Sequence, residues 1–260
     1  MPMYETLLYE VKDEIATITL NRPEMNNAFS REAFQETGQA LDHCNLDESV
    51  RVVIVTGKGK HFSVGGDVQA MATDEAYITY ETAKLTSAMS GAAKKCAKPV
   101  IAMINGTAAG AGLALALGCD FRIMTEKSLL ITAFMNMALP GDTGCTYHLY
   151  QILGLSKTME LMMLSTPIKG EEALQLGLAT QVVPEEQLFE STQSLAKTLK
   201  ARPPLAIAKH KKLVYDLFYH DYEAYREMEA QLFGAAGKTA DHMEAVHAFL
   251  EKRTPAFKGQ

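Results

Sequence analysis

The sequence predicts an α/β fold, and three observations carry that prediction. Short apolar runs that read as strands alternate with amphipathic stretches that read as helices through most of the 260-residue chain. Two of the strand-to-helix junctions hold bare glycine-rich turns, His61-Phe-Ser-Val-Gly-Gly-Asp67 and Asn105-Gly-Thr-Ala-Ala-Gly-Ala-Gly112. From about Glu185 onward strand signals vanish and only helical periodicity remains. The expected layout is therefore a core over residues 1–195 and a helical region over residues 196–260.

Leu7 to Val11 and Ile15 to Leu20 read as a hairpin around Lys12-Asp13-Glu14. In the second arm Ala16, Ile18 and Leu20 alternate with Thr17 and Thr19, which buries one face. Asn21-Arg22-Pro23 ends that arm, because proline has no N–H to give to a ladder. Ser30 is placed to cap a helix with Phe34, Gly38 and Leu41 on one side. Arg51–Thr56 is a buried strand leading into the first glycine turn, and Asp67 stands where it would cap a helix containing Met71. The next helix carries Leu85, Met89, Ala92 and Cys96 on its apolar face and stops at Lys98-Pro99. The strand Pro99–Ile104, the second turn, an alanine-rich helix near Gly110–Leu117 and the strand Asp120–Thr125 follow. The methionine-rich stretch Met159 to Met163 is assigned to the core, where flexible thioethers fill irregular space. Pro203-Pro204 opens a helix with Leu213 and Leu217; Tyr225, Met228 and Leu232 mark another, and Met243, Val246 and Leu250 a third. That much apolar surface needs a cover, either the chain's own core or a neighbouring subunit.

Composition bounds the function. With 25 basic and 31 acidic residues the formal charge is −6, which argues against a general nucleic-acid binder. The four cysteines, Cys44, Cys96, Cys119 and Cys145, form no CxxC pair and read as buried thiols of a reducing compartment. No signal-peptide pattern and no bilayer-length apolar run is visible, so the expected location is cytoplasmic, away from membranes.

A strand, a bare turn and a helix start leave unpaired N–H groups at the positive end of a helix dipole. Two such turns facing one point would hold one developing negative oxygen, an oxyanion hole without side chains. Each turn taken singly has a plainer reading, as an ordinary bend or as close helix–strand packing. Together, at equivalent junctions, they are specific.

The segments Asn21-Arg-Pro-Glu-Met-Asn-Asn-Ala28, Phe62-Ser-Val-Gly-Gly-Asp67, Asn105-Gly-Thr-Ala-Ala-Gly-Ala-Gly112 and Cys119-Asp-Phe-Arg122 resemble the signatures of the enoyl-CoA hydratase/isomerase (crotonase) superfamily. The resemblance runs through nearly the whole chain, to the ending Phe249-Leu-Glu-Lys-Arg-Thr-Pro-Ala-Phe257. It implies a spiral of ββα units with a helical C-terminal trimerisation region, and homotrimers often paired into hexamers. It also implies a coenzyme A thioester as substrate, with no separate cofactor and no metal. By motif the oxyanion donors fall on the backbone N–H of Gly66 and Ala111, each typically worth about 3 kcal/mol at the transition state. Asn27, Ala28, Ser63, Val64 and Gly65 match the segments that wrap pantetheine and adenine, with Asp67, Gly110 and Phe134 completing the expected binding set.

The family shares thioester activation but not one reaction. Its hydratase branch uses two glutamates. At the place of the first stands Ala114, and no acid occurs from Gly106 to Cys119; the stretch Lys127 to Gly141 that would hold the second has none either. Efficient hydration is therefore not expected. One acid is in the right neighbourhood: Leu139-Pro-Gly-Asp-Thr-Gly-Cys-Thr146 puts Asp142 in a third glycine turn. This resembles the single-acid branch of phenylacetate-pathway ring-epoxide isomerases and 3-enoyl-CoA to 2-enoyl-CoA isomerases. Asp142 is then the catalytic base, its pKa raised by Phe134 and nearby methionines; its structural role would be a helix N-cap. The leading expectation is a 3-enoyl-CoA to 2-enoyl-CoA isomerase, with a ring-epoxide acyl-CoA isomerase, a thioester hydrolase or decarboxylase, and a non-catalytic acyl-CoA-binding subunit as alternatives. Tyr147 and His148 read as packing residues, and Lys58, Lys60, Lys252 and Lys258 as surface lysines within reach of a phosphate.

Overall fold

The computed structural model describes residues 3–260. Strands β1 (Leu7–Lys12) and β2 (Ile15–Leu20) form the expected hairpin, whose two central residues, Asp13 and Glu14, both have positive φ. That geometry matches the right-handed twist of the flanking strands. Helix α1 (Arg31–Leu46) starts at Ser30, whose side chain accepts from the Ala33 N–H. Then come β3 (Val52–Gly57), the short α2 (Val68–Thr73), α3 (Tyr80–Lys95), β4 (Val100–Ile104), β5 (Ala108–Ala109) and α4 (Ala111–Gly118). After these follow β6 (Phe121–Thr125), β7 (Leu129–Ile131), α5 (Cys145–Leu164, broken at Gly154), β8 (Ile168–Lys169), α6 (Gly170–Gln175) and β9 (Gln181–Val183). Four helices close the chain: α7 (Leu188–Lys200), α8 (Pro204–Phe218), α9 (Tyr222–Ala236) and α10 (Ala240–Leu250).

A six-stranded sheet runs in the order β1-β2-β3-β4-β6-β9, parallel from β2 onward, and a three-stranded sheet runs β5-β7-β8. The units β4–β5–α4 and β6–β7–α5 each give one strand to the large sheet and the next to the small one before the helix. That is the repeating ββα turn of a spiral. All six residues of β3 are buried because both faces of the sheet are covered. Val53 and Val55 join the larger core with α1, α3 and α4, while Val52 and Ile54 join a smaller one with Leu188 and Ala196 of α7. Helix α7 thus spans the expected boundary at residue 195 and packs on the sheet.

One local expectation is extended and another corrected. The expected face of α3 packs on the core, with Met89 and Cys96 buried and Leu85 and Ala92 half-buried against it, and beside it Thr82, Thr86 and Ser90 are buried as well. Hydroxyls tolerate that burial because Thr86 and Ser90 bond to backbone carbonyls. In α5 only Leu161 and Met162 of the methionine-rich stretch are core; Met159 and Met163 are 42% and 60% exposed, since a helix lying on a core buries one stripe. The four cysteines are free and buried, as expected. Among the described residues no helix is long and apolar enough to cross a membrane.

Candidate active site

Both glycine turns lie at the carboxyl ends of adjacent parallel strands, β3 and β4, where open α/β sheets bind ligands. They are zipped to each other. Ser63 N donates to Thr107 O at 3.1 Å and Ala109 N donates to Ser63 O at 2.9 Å. Gly65 is held at φ +99°, and a Cβ there would sit 2.9 Å from Ala109 O and 3.6 Å from Ala111 N. Glycine is required at this crossing, and the close approach sets the peptide at Gly66 beside the first turn of α4. Among the described residues no acceptor in the chain takes the Gly66 or the Ala111 N–H.

The chain before the first turn is fixed from behind. Asn27 accepts from Arg22 N at 3.0 Å and donates to Lys58 O and His61 O at 2.9 and 2.8 Å. Ser63 Oγ donates to Asn27 O at 2.8 Å and accepts from Gly65 N at 3.2 Å. Their side chains thus stand behind the wall rather than on it. Asp67 caps α2 through Gln69 N and Ala70 N and pairs with Arg22 Nη2 at 3.1 Å. Its own N–H donates to Tyr77 Oη at 2.9 Å, and that hydroxyl donates to Phe29 O.

These elements enclose a cavity of about 590 Å³. Ala28, Val64, Gly65, Gly66, Asp67, Gly110, Phe134 and Asp142 line it; Asn27, Ser63 and Ala111 lie in the layer beneath. Three carboxylates reach its wall among the described residues. Glu24 is exposed at the rim, Asp67 is committed to Arg22 and its cap, and Asp142 is buried, 7% exposed. Ala114, at the place of a hydratase glutamate, is fully buried.

Asp142 does not cap α5: the N-cap position is Gly144, which has no side chain to cap with. Its carboxyl is pushed up to about 7 by burial, partly offset by the hydroxyls of Thr86 and Thr143. A carboxyl raised this far can exchange a proton near neutral pH.

Sequence reasoning missed the groups that hold the Asp142 turn. Ser90 Oγ donates to Thr143 O, and Glu229 Oε2 accepts from Gly144 N at 2.9 Å. The i, i+4 spacing of Thr82, Thr86 and Ser90 was a signal for the first; Glu229 has no local signature. Tyr147 and His148 turn away from the cavity. Tyr147 Oη donates to Asp221 Oδ1 at 2.5 Å, and the His148 ring packs against Tyr219 and Tyr222. Lys58, Lys60, Lys252 and Lys258 are exposed and off the cavity wall.

Paired amides, a buried titrating acid and an apolar cavity on a ββα spiral define a class of thioester-activating proteins. The sequence profile described as Enoyl-CoA hydratase/isomerase matches residues 10–260, and the chain belongs to that family. It is 31% identical over 261 residues to a trans-2-decenoyl-[acyl-carrier-protein] isomerase of Streptococcus mutans, with 99% of each chain covered. It is 31% identical to a 1,2-epoxyphenylacetyl-CoA isomerase of Escherichia coli (99% and 100% covered) and 30% identical to a crotonyl-CoA hydratase of Syntrophomonas wolfei (98% of each). An enoyl-CoA hydratase structure from Mycobacterium avium subsp. paratuberculosis superposes with a TM-score of 0.91 at 25% identity, covering 98% of this chain and 100% of that one.

Proposed function

We propose that the cavity binds an acyl-CoA thioester and that the protein moves a double bond from the 3,4 to the 2,3 position. The thioester oxygen accepts from the N–H groups of Gly66 and Ala111, which acidifies C2. The Asp142 carboxylate takes a C2 proton, leaving a dienolate whose charge rests on that oxygen. The protonated Asp142 then returns its proton to C4, and the conjugated thioester is released. Ala28, Val64 and Gly65 form the strip against which pantetheine would lie, held from behind by Asn27 and Ser63, with Phe134 beside the acyl chain.

One observation carries this reading: of the three carboxylates on the wall, only Asp142 is both buried and free of an ion pair or a helix cap, with its carboxyl pushed up to about 7 by burial. Hydration needs acids to orient water and move its proton, and neither glutamate position has one. The name of the Escherichia coli relative favours a second reading, rearrangement of a ring-epoxide thioester by the same groups.

The test is a panel of 3-enoyl, 2-enoyl and ring-epoxide CoA thioesters with wild type and Asp142→Asn. A rise in conjugated-enoyl absorbance from the 3-enoyl substrate is expected, reduced about 10²–10⁴-fold by D142N while thioester binding persists. Wild-type turnover in D142N would falsify the assignment. Hydration of 2-enoyl-CoA as the main activity, or loss of thioester absorbance with free thiol appearing, would replace it.

We also propose that the protein is a homotrimer or hexamer. The apolar faces of α8 and α9 support this: Leu213, Leu217, Met228 and Leu232 are all more than half exposed on the single chain.

A further inference from the structure

We propose that Glu229, on helix α9 of the C-terminal region, is a positioning residue for Asp142, clamping the Gly144 peptide and thereby fixing where the carboxyl stands. The inference rests on the reading of Asp142 as the proton shuttle. It makes the C-terminal region part of the site and not only a surface for association.

Glu229 is only 7% exposed and uses both oxygens. Oε2 accepts from Gly144 N at 2.9 Å, and Oε1 bonds Tyr225 Oη at 2.6 Å, one helical turn earlier on the same face. Gly144 is at φ +76°, and a Cβ there would lie 2.2 Å from Tyr222 Oη. Tyr222 Oη in turn stands 3.1 Å from Ser90 Oγ, which donates to Thr143 O. The single peptide group between Thr143 and Gly144 is therefore gripped at both ends, its oxygen by α3 and its nitrogen by α9.

A buried acid in this place has to be neutral beside Asp142. Burial and the neighbouring Asp142 charge push the Glu229 carboxyl up to about 8, so it keeps its proton at neutral pH. Cys145 from the turn and Tyr222 and Arg226 from α9 are the other titratable groups that face this pocket. The remaining partner, Tyr225, donates its hydroxyl to Glu229 and so orients the carboxyl. The clamp thus holds the turn without adding a second negative charge under the catalytic one.

The experiment compares kcat and KM for the 3-enoyl thioester in E229L, E229Q and Y225F, with D142N as the reference. E229L keeps the volume but strands the Gly144 N–H. Misplacing a catalytic group by about 1 Å costs about 100-fold, so a kcat loss of about 30- to 100-fold with KM within about 3-fold is expected. Glutamine retains an acceptor for Gly144 N, and E229Q recovers most of that loss. Y225F leaves Glu229 in place without the hydroxyl that orients it, and a kcat loss of about 3- to 10-fold at unchanged KM is expected. It decides the matter if E229L does not fold. Wild-type kcat in folded E229L or in Y225F overturns the proposal, and so does an E229Q loss equal to that of E229L. D142N inactive with E229L at full rate removes this inference alone; D142N active removes both readings together.

Discussion

Asp142 carries its charge at an energetic cost set by its surroundings, and that cost is measurable. Its folded-state pKa lies above the ordinary carboxylate value, so the neutral form is the one that stabilises the fold. The stability it contributes is complete below the ordinary value of 3.8 and is lost as pH rises through about 7. Asparagine at this position does not titrate. Across that interval wild type should lose about 1.4 kcal/mol per pH unit relative to D142N. Denaturant titrations of both proteins at two pH values inside the interval check this, and equal slopes would mean that the carboxyl is not buried as described. Activity runs the opposite way: the base must be ionised, so kcat/KM for the 3-enoyl thioester should climb with pH through about 7. The second residue-scale test concerns Ala111. It is the first residue of α4, where proline removes the N–H without breaking an intrahelical hydrogen bond. Ala111→Pro should therefore fold, with a circular dichroism melt near that of wild type, yet lose about 10²–10³ in kcat.

At the scale of elements, the site is a set of turns held by helices rather than a set of side chains on strands. The zipper between the two glycine turns positions both amides, and α3 and α9 position the third turn. Gly144 is where this scaffold is least forgiving. Alanine there faces a left-handed backbone and a contact of 2.2 Å with Tyr222 Oη. Gly144→Ala should lower stability by about 2 kcal/mol or more by denaturant titration, because strain and overpacking add at one atom. The hydroxyl stripe on α3 belongs to the same scale. Its hydroxyls are buried because they bond backbone carbonyls, so hydrophobic periodicity found Leu85, Met89, Ala92 and Cys96 on the core side but not the polar stripe beside them.

For the molecule as a whole, the helical region has two apolar faces with different fates. One packs inward: Phe233 of α9 is buried, and it and Phe249 and Leu250 of α10 reach the cavity wall. The other, with Leu213, Leu217, Met228 and Leu232, is more than half exposed on the single chain. Leu217→Asp together with Met228→Asp should shift the sedimentation coefficient of a trimer or hexamer to that of a monomer. A wild type that already sediments as a monomer at micromolar concentration would remove the basis for that assembly.

The hairpin, the strands β3, β4 and β6 with the helices around them, the Ser30 and Asp67 caps and the three glycine turns were legible in the amino-acid sequence, whereas the short strands β5, β7, β8 and β9 and the helices α6 and α7 were not. Each legible feature depends on residues close together in the chain: alternation, capping chemistry or a positive φ. The absence of acids at the two glutamate positions was equally legible. Asp142, by contrast, could be read as a base or as a cap, and only the fold showed that the α5 N-cap is Gly144 and that Asp142 is buried at the cavity wall. Glu229 lies 87 positions from Asp142 (229 less 142) and carries no local signature. Tertiary packing alone decided that α9 would bring it beneath that turn, since hydrogen bonding and desolvation act through space between segments that no short window of sequence contains.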